Sequence, residues 1–285
     1  MSTLTSQRIA EYYERFRTIE VTFNKEINAA LGLVPQEVQL KCVGDFWPCV
    51  LYAVSFEGAK AACSIKSGIL AKLEQVNQLV SLRLSFRGAD AANPVTFFIA
   101  SKALGYTPCE GASDVALFHL QFTQRPPDDL IEIVGRLLEA NVTAVKRKDE
   151  RVPVQAELCR RMSLLAKESA VFIEGVPRRC ILRELAFSGA KVILMGVAKF
   201  LVERDTDLRL DFEDPRESFL LKGKCVHSES VEGRKGLAAV TIMFDENALP
   251  MGYKMRLSAY LNQTRLEARP GSEGWAGGEG GPMRL

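Results

Sequence analysis

The chain has 285 residues, enough for two domains of ordinary size, and its 47% hydrophobic and 25% charged residues are typical of a protein with a packed core. Its 37 Lys and Arg against 35 Asp and Glu leave a formal net charge of +2, so the overall charge gives no indication of nucleic-acid binding. The basic excess lies in residues 141–285, because residues 1–140 carry 13 basic and 15 acidic side chains.

The cysteine pattern and the apolar segments both bear on the compartment. The seven cysteines are odd in number and never spaced as Cys-x-x-Cys, which argues against a disulfide framework or a zinc site and favours a reducing compartment. The N-terminus lacks the apolar core of a signal peptide, and no apolar run approaches the roughly 20 residues needed to span a bilayer. We therefore expect a cytoplasmic protein without a membrane span.

Chemical groups typical of enzymes are scarce in this sequence. His119 and His227 are its two histidines, and each lies in an alternating, strand-like stretch where a structural role is expected. The sequence contains no recognisable nucleophile–base pair, metal-binding cluster or phosphate-binding loop. We expect a protein that is not an enzyme and that carries no cofactor or metal.

Residues 6–30 are predicted to form one amphipathic helix, because apolar residues recur at steps of three and four. Gly32 and Pro35 are typical of its end. After residue 35 the apolar period changes to two, which predicts antiparallel strands joined by turns. The predicted strands are residues 37–43, 48–56, 79–86, 95–101 and 112–122.

A second series of elements begins with a short helix, predicted from the apolar period of residues 130–138. Its first turn includes the acidic residues Asp128 and Asp129, which the helix dipole favours there. The polar residues 141–152 are interpreted as a linker, and residues 156–167 as a short helix. Residues 249–261 are predicted as a strand and a turn, and the Gly-rich residues 264–285 as a disordered tail. The strands predicted in between are residues 169–174, 179–187, 190–197, 207–212, 219–227 and 237–244.

The two halves of the chain resemble each other in sequence. Residues 49–60, CVLYAVSFEGAK, align without gaps on residues 180–191, CILRELAFSGAK, with six of twelve positions identical. Shorter matches follow in the same order, residues 82–86 on 208–212 and residues 115–122 on 237–244. Two copies of one β unit are indicated, and so many short strands close best as barrels without exposed edges. The predicted fold class is mainly β, with two small antiparallel six-stranded β-barrels and flanking helices.

Gly58 and Gly189 interrupt predicted strands at equivalent positions of the two halves. Such a glycine marks a structural bulge or the close approach of a ligand or another backbone. The sequence leaves both interpretations open for Gly189 and favours the structural one for Gly58. Phe46, Trp47 and Phe56 are expected in the core rather than on a base-stacking surface.

Two motifs in the second half carry a resemblance to a known family. Residues 147–151 (RKDER) match an Arg-x-x-x-Arg pattern in the segment that enters the second barrel, and residues 184–189 (ELAFSG) are similar to the pattern Asp/Asn-x-Ser-x-x-Gly on an early strand. Over about residues 141–263 the chain resembles a PilZ domain, a small barrel that binds cyclic di-GMP.

The first half resembles the same family more weakly, over about residues 36–125. Its residues 53–58 (AVSFEG) keep the Ser and the Gly, but no Arg-x-x-x-Arg precedes them. The whole chain is similar to two-domain PilZ proteins of spirochaetes, with a degenerate first copy and a ligand-binding second copy. The expected divisions are an N-terminal helix (1–35), a degenerate barrel with a short helix (36–140), a PilZ domain (141–263) and the tail (264–285).

The resemblance implies that Arg147, Arg151, Glu184, Ala186 and Gly189 line a site for cyclic di-GMP. The two arginines can pair with phosphate or with the O6/N7 edge of guanine, or stack on the purine. Glu184, where the family has Asp or Asn, can accept hydrogen bonds from guanine N1–H and from its amino group. Gly189 lets the backbone come close to the ligand. Because Ala186 has no hydroxyl where the family has Ser, one hydrogen bond to the ligand is lost, and binding is expected to be weaker by about 0.5–1.5 kcal/mol.

Three functional hypotheses follow. The first is a cyclic di-GMP receptor in which ligand binding at the interdomain linker rearranges the domains, so that the first domain presents a surface to a downstream protein partner. The second is a protein-interaction module that has lost nucleotide binding. The third is a nucleic-acid-binding barrel. The basic second half favours it, but the dense basic stripe with interleaved aromatics that such barrels use is missing. The structural alternatives are that residues 146–151 are a solvated linker and that Glu184 is a rim carboxylate paired with Arg179 or Arg183.

Overall fold

The computed structural model describes residues 5–66, 68–87, 94–109, 111–234 and 236–267. Of the predicted disordered tail, residues 268–285 lie outside the described residues, and residues 264–267 are the end of a helix. The described α-helices are α1 (Ser6–Phe16), α2 (Lys25–Leu31), α3 (Ile69–Gln75), α4 (Asp128–Lys146), α5 (Ala156–Met162) and α6 (Met251–Glu267). Short 3-10 helices are found at Pro35–Glu37, Ala166–Glu168, Ala198–Phe200 and Glu246–Ala248.

The strands of the first half form a closed barrel. They are β1 (Val21–Thr22), β2 (Gln39–Cys42), β3 (Asp45–Val54), β4 (Gly58–Ser64), β5 (Leu79–Phe86), β6 (Val95–Cys109) and β7 (Ala112–Phe122). Neighbouring strands pair in the order β3, β2, β5, β6, β7, β4, and β4 pairs again with β3, which closes six antiparallel strands into a ring. The short β1 pairs with β3 outside this ring.

The strands of the second half form a half-barrel. They are β8 (Val152–Pro153), β9 (Ala170–Ile173), β10 (Val176–Leu185), β11 (Gly189–Met195), β12 (Thr206–Phe212), β13 (Glu217–Leu221), β14 (Gly223–Ser230) and β15 (Leu237–Phe244). The sheet order is β13, β12, β9, β10, β11, β15, β14, with β8 paired to β10. Its two end strands are separated in the chain by Lys222 alone. The predicted class, mainly β with flanking helices, is confirmed, and so is the six-stranded barrel of the first half. The second predicted barrel is a half-barrel, because its end strands β13 and β14 do not pair with each other within the described residues.

Alternation of apolar residues explains how the strands are packed. In β3 every second residue is buried, including Trp47, Cys49 and Leu51, because successive side chains of a strand point to opposite faces. Phe56 is buried as predicted, but Phe46 is 50% exposed, so its predicted place in the core is wrong. It falls on the outward-facing series of β3, one residue out of phase with Trp47.

The predicted single helix at residues 6–30 is wrong. Helix α1 ends at Phe16, and β1 pairs with Val54 and Ala53 of β3 before α2 begins. Asn24 starts α2, because its side-chain oxygen accepts a hydrogen bond from the Ile27 N–H at 2.8 Å, which satisfies a free amide of the first turn. The apolar period of the sequence is continuous, but the helix is interrupted where Val21 and Thr22 pair with the barrel strand β3.

Two further predictions in the second half are wrong. The strand and turn predicted for residues 249–261 are absent: α6 begins at Met251, and its Tyr253, Leu257 and Leu261 are buried at a four-residue spacing. The predicted linker at residues 141–152 is helical as far as Lys146, because α4 is much longer than the predicted 130–138. Thr143 in its last turns is buried, so this part of the helix packs against the protein and is not a solvated connection.

The internal repeat extends much further in structure than in the best-matching sequence block. A single shift of 131 residues relates Val21 to Val152 and Gly58 to Gly189, and the elements β1, α2, β2, β3 and β4 begin at residues that correspond to the first residues of β8, α5, β9, β10 and β11. The first 3-10 helix corresponds to the second by the same shift. As far as β4 and β11, the two halves are therefore built from the same series of elements.

Helix α4 is common to both halves. It packs against α1 on one side, where the Tyr12 ring lies against Gly135, and against α6 on the other. It follows the first barrel as α6 follows the second sheet, and it precedes β8 as α1 precedes β1. Met251 of α6 belongs to the first hydrophobic core, and Ala144 of α4 packs on the second. The two cores thus meet along α4 and α6.

Candidate functional site

The five residues that follow α4, residues 147–151, are fixed along the surface of the second sheet. Immediately after them β8 pairs with β10, with Val152 opposite Leu185 and Pro153 opposite Glu184. The Ser188 N–H donates to the Lys148 carbonyl oxygen at 2.9 Å. The Arg-x-x-x-Arg segment therefore runs beside the turn between β10 and β11, which carries the second predicted motif.

Arg151 and Glu184 are in contact. Arg151 Nη1 lies 3.4 Å from Glu184 Oε2, and the two side chains are 42% and 38% exposed. Glu184 is therefore a paired carboxylate, as one interpretation of the sequence had it, but its partner is Arg151 rather than Arg179 or Arg183. An ion pair this exposed contributes about 0–1 kcal/mol, so it orients the two groups without holding them firmly.

Arg147 is held by a different carboxylate. Its Nε and Nη2 both donate to Glu150, the latter at 2.6 Å, and the hydrogen bond from Arg147 keeps the pKa of Glu150 below its ordinary value. The third nitrogen, Nη1, is buried and has no hydrogen-bond partner within the described residues. The Arg147 side chain is only 13% exposed, and it borders an open depression of about 500 Å³ lined by residues 145–150 and Arg265. An unsatisfied donor beside such a depression is suited to an acceptor oxygen of a ligand.

Gly189 is explained by backbone packing. A Cβ atom built on it would lie 2.1 Å from the Ile242 carbonyl oxygen of β15. In the first half, a Cβ on Gly58 would lie 2.3 Å from the Leu120 carbonyl oxygen of β7. Because the same close approach occurs in both halves, the shared glycine is required by the neighbouring strand, which was the structural alternative.

Ala186 is fully buried and so does not line the surface that Arg151 and Glu184 form, contrary to the sequence prediction. Its N–H donates to the Gly189 carbonyl oxygen at 2.8 Å, which closes the turn. In the first half the equivalent residue is Ser55, whose hydroxyl accepts from the N–H groups of Glu57 and Gly58, each at 3.2 Å. The Ser of this motif therefore supports the turn in the first half. In the second half the Lys148 carbonyl serves the amide of Ser188 instead.

Sequence reasoning missed Tyr253 of α6. Its hydroxyl donates to the Ala186 carbonyl oxygen at 2.9 Å in a fully buried position, and this burial raises its pKa. The four-residue apolar spacing of α6 could have indicated a helix here. No sequence pattern could have indicated that its tyrosine reaches a turn 67 residues away.

The predicted site residues are thus brought together in part. Arg151 and Glu184 pair directly, and the segment that holds both arginines is bonded to the turn of Ala186 and Gly189. Within the ranges that the structure describes, Arg147 makes no hydrogen bond to that turn. Over the same ranges, no cluster of three or more His, Cys, Asp or Glu side chains is arranged to hold a metal ion. None of the described helices combines the length and the apolar character needed to cross a membrane.

Comparison with known proteins gives a family, a relative and two solved structures. The PilZN3 domain family matches residues 7–141. The "Cyclic di-GMP binding protein" of Treponema denticola is 41% identical over 276 residues, which cover 96% of this chain and 87% of that protein. Among solved structures, Borreliella burgdorferi PlzA in complex with c-di-GMP matches at 23% identity, with 90% of this chain and 99% of that chain covered and a TM-score of 0.41.

A second solved structure, the Bacillus subtilis inhibitor of motility (MotI/DgrA), matches at 12% identity, with 83% of this chain and 99% of that chain covered and a TM-score of 0.31. The relationship to the Treponema denticola protein spans almost the whole chain, and the PilZN3 match accounts for its first half. The chain belongs to the PilZ-domain family, as a member with a PilZN3 domain in its first half.

Proposed function

We propose that this chain is a cytoplasmic, non-enzymatic receptor for cyclic di-GMP, which binds on the second half. One relative, 41% identical over nearly the full length, is named as a cyclic di-GMP binding protein. The observation that carries the proposal is the contact between the two motifs: Arg151 pairs with Glu184 at 3.4 Å, and Ser188 is bonded to the backbone of Lys148. Cations and a carboxylate thus line one open surface.

The chemistry of these groups suits the ligand. Cyclic di-GMP has two phosphodiester charges and two guanines, and a guanidinium can form bidentate hydrogen bonds to phosphate or to the O6/N7 edge of guanine. The Glu184 carboxylate can accept from guanine N1–H and from its amino group. Ala186 and Gly189 contribute through the turn they form, which sets the position of Glu184 at the end of β10.

Ligand binding would replace ion pairs within the protein. Without ligand, Arg147 is bonded to Glu150 and Arg151 to Glu184. An exposed pair such as Arg151–Glu184 is worth about 0–1 kcal/mol, whereas a hydrogen bond to a charged group contributes about 1.5–3 kcal/mol. A phosphate that makes several such bonds can therefore displace the carboxylates.

The proposal includes a change in domain arrangement. Arg147 directly follows Lys146, the last residue of α4, and α4 packs against both α1 and α6. A ligand that turns Arg147 away from Glu150 would alter the end of the helix that both halves share, and the first half would then present a different surface to a downstream protein partner. Small-angle X-ray scattering tests this step: identical profiles with and without saturating ligand would contradict it.

Isothermal titration calorimetry tests the binding itself. We expect saturable heat with cyclic di-GMP, none with GTP, and none with the double variant Arg147→Ala/Arg151→Ala. The matched control is Arg83→Ala/Arg87→Ala, which removes two arginines at the same spacing from the first half and should leave binding unchanged. A folded wild-type protein that gives no heat with cyclic di-GMP would refute the proposal and favour an interaction module without nucleotide binding.

A further inference from the structure

The turn between β10 and β11 is held from below by a buried hydrogen bond. The Tyr253 hydroxyl donates to the Ala186 carbonyl oxygen at 2.9 Å, and both residues are fully buried. The Tyr253 ring also packs edge-on against Phe244, whose N–H donates to the Ser188 carbonyl oxygen at 2.9 Å. The N-terminal end of α6 and the C-terminal end of β15 therefore both hold the β10–β11 turn in its position on the sheet.

The same turn of α6 is bonded to the first half of the chain. The Met251 N–H donates to Glu26 Oε1 of α2 at 2.6 Å, and the Met251 side chain is buried in the first core. An N–H in the first turn of a helix has no partner within the helix, so an acceptor from another element satisfies it. Glu26 thus supplies this acceptor from across the boundary between the halves.

These two bonds are only two residues apart on one helix. The Met251 N–H is bonded to Glu26 of the first half, and the Tyr253 hydroxyl is bonded to the turn that follows Glu184. A helix turn is stiff, so a displacement of Met251 moves the Tyr253 hydroxyl with it. We propose that Tyr253 is a positioning residue for the cyclic di-GMP site and that Glu26, through Met251 and Tyr253, couples the packing of the first half to the affinity for the ligand.

This inference rests on the proposed function. It adds a path of contacts by which the first half can change the affinity of the second half for cyclic di-GMP. Coupling is reciprocal: if ligand affinity depends on the Glu26–Met251 contact, then bound ligand must change the strength of that contact by the same factor. The route lies through α6, which bonds the turn at the Ala186 carbonyl, whereas the arginine segment bonds it at the Ser188 amide. It therefore reaches the turn through a hydrogen bond that is separate from the one made by the arginine segment.

Calorimetric titration of cyclic di-GMP into the full chain tests the inference. We expect Tyr253→Phe and Glu26→Ala each to weaken binding by about three- to tenfold, since each removes one buried or partly buried hydrogen bond. The double variant should lose less than the product of the two factors, because both residues act through one helix turn. Circular dichroism confirms that each variant is folded at the titration temperature.

Two control variants separate positioning from a general loss of stability. Glu26→Gln keeps an oxygen acceptor for the Met251 N–H and should bind within about twofold of wild type. Tyr260→Phe makes the same substitution on the same helix, at a tyrosine whose hydroxyl has no hydrogen bond within the described residues, and should leave affinity unchanged. Hydrogen exchange gives a second measurement: saturating ligand should alter exchange at the Met251 amide in wild type but not in Tyr253→Phe.

The outcomes distinguish the two proposals. If wild type does not bind cyclic di-GMP, the proposed function fails. If wild type binds, and both Tyr253→Phe and Glu26→Ala bind equally well, the function stands and the coupling is refuted. Weakened binding in Tyr253→Phe with unchanged exchange at Met251 in wild type would also refute the coupling.

Discussion

The two halves use the same position for opposite charges. By the shift of 131 residues, Arg151 corresponds to Glu20, which pairs with Lys60 at 2.8 Å, whereas Arg151 pairs with Glu184 at 3.4 Å. In both halves one ion pair connects the segment before the first short strand to the sheet. The segment carries the acid in the first half and the base in the second.

Arg147 shows the same contrast, since its counterpart is Phe16, which is 1% exposed in the first core. The fold therefore does not need arginines at these positions, and a hydrophobic residue and an acid suffice. The dianionic ligand proposed for the second half explains why arginines occupy these positions there.

The largest effect is expected from giving the second half the charge of the first. Arg151→Glu should weaken cyclic di-GMP binding at least about 100-fold, or about 2.7 kcal/mol, because a charge-assisted bond is lost and a like charge is set beside Glu184 and the phosphates. Calorimetry measures this. Lys199→Glu, an exposed charge reversal on the same half, is the control, and equal losses in both variants would mean that net charge alone governs binding.

The shared glycines should be equally intolerant of a side chain. Gly58→Ala and Gly189→Ala each place a Cβ within 2.3 Å of a backbone carbonyl oxygen, so we expect each to destabilise the protein by about 1–3 kcal/mol. Thermal unfolding measures the loss. In Gly196→Ala the nearest atoms are flexible leucine side chains at 3.3 Å, so this control should be milder. Normal stability of Gly189→Ala would reopen a ligand role for this glycine.

The serine of the turn should matter in the first half. Ser55→Ala removes an acceptor from the N–H groups of Glu57 and Gly58, and we expect a loss of about 0.5–1.5 kcal/mol in the free energy of unfolding. Ala186→Ser, the reverse change, should gain less, because the Ser188 N–H already has the Lys148 carbonyl. Denaturant unfolding compares the two variants. A gain at Ala186 as large as the loss at Ser55 would mean that the Lys148 carbonyl does not take over the role of the serine.

The smallest effect is expected at Glu150, which has Ile19 as its counterpart in the first half. Glu150→Gln weakens the competitor for Arg147 and should strengthen cyclic di-GMP binding by up to about fivefold, the upper end for an ion pair in which only the carboxylate is exposed. Since Arg147 lowers the pKa of Glu150, the pair stabilises the fold above the ordinary glutamate pKa of about 4.3, and this stabilisation is lost as the pH falls from there through the lowered pKa. Weaker ligand binding in Glu150→Gln would mean that Glu150 positions Arg147 rather than competing for it.

Strand prediction was close because alternation and turn residues are local signals. The predicted strands at residues 79–86, 112–122 and 237–244 agree with β5, β7 and β15 to the residue. The helices were harder, because helix ends depend on distant partners. α1 stops where β3 captures Val21 and Thr22, and α4 continues because α6 buries its last turns.

The site was predictable only as far as its motifs reach. Arg151 and Glu184 were identified from sequence, and the structure brings them into contact. The Lys148 carbonyl and the Tyr253 hydroxyl were not found, since a backbone oxygen has no sequence signature and the tyrosine acts across 67 residues. The repeat pointed to Gly189, but only the carbonyl of Ile242 explains why it must be glycine.

The double membership of α4 also decides how the chain can be divided. A cut before Asp128 removes the helix that covers the first barrel, and a cut after Lys146 leaves α6 without its neighbour, so each fragment exposes apolar surface that the intact chain buries. No boundary yields two complete halves. A fragment of the second half made for ligand studies should begin at Asp128, and the duplicated unit is best regarded as running from helix to helix, with one helix counted twice.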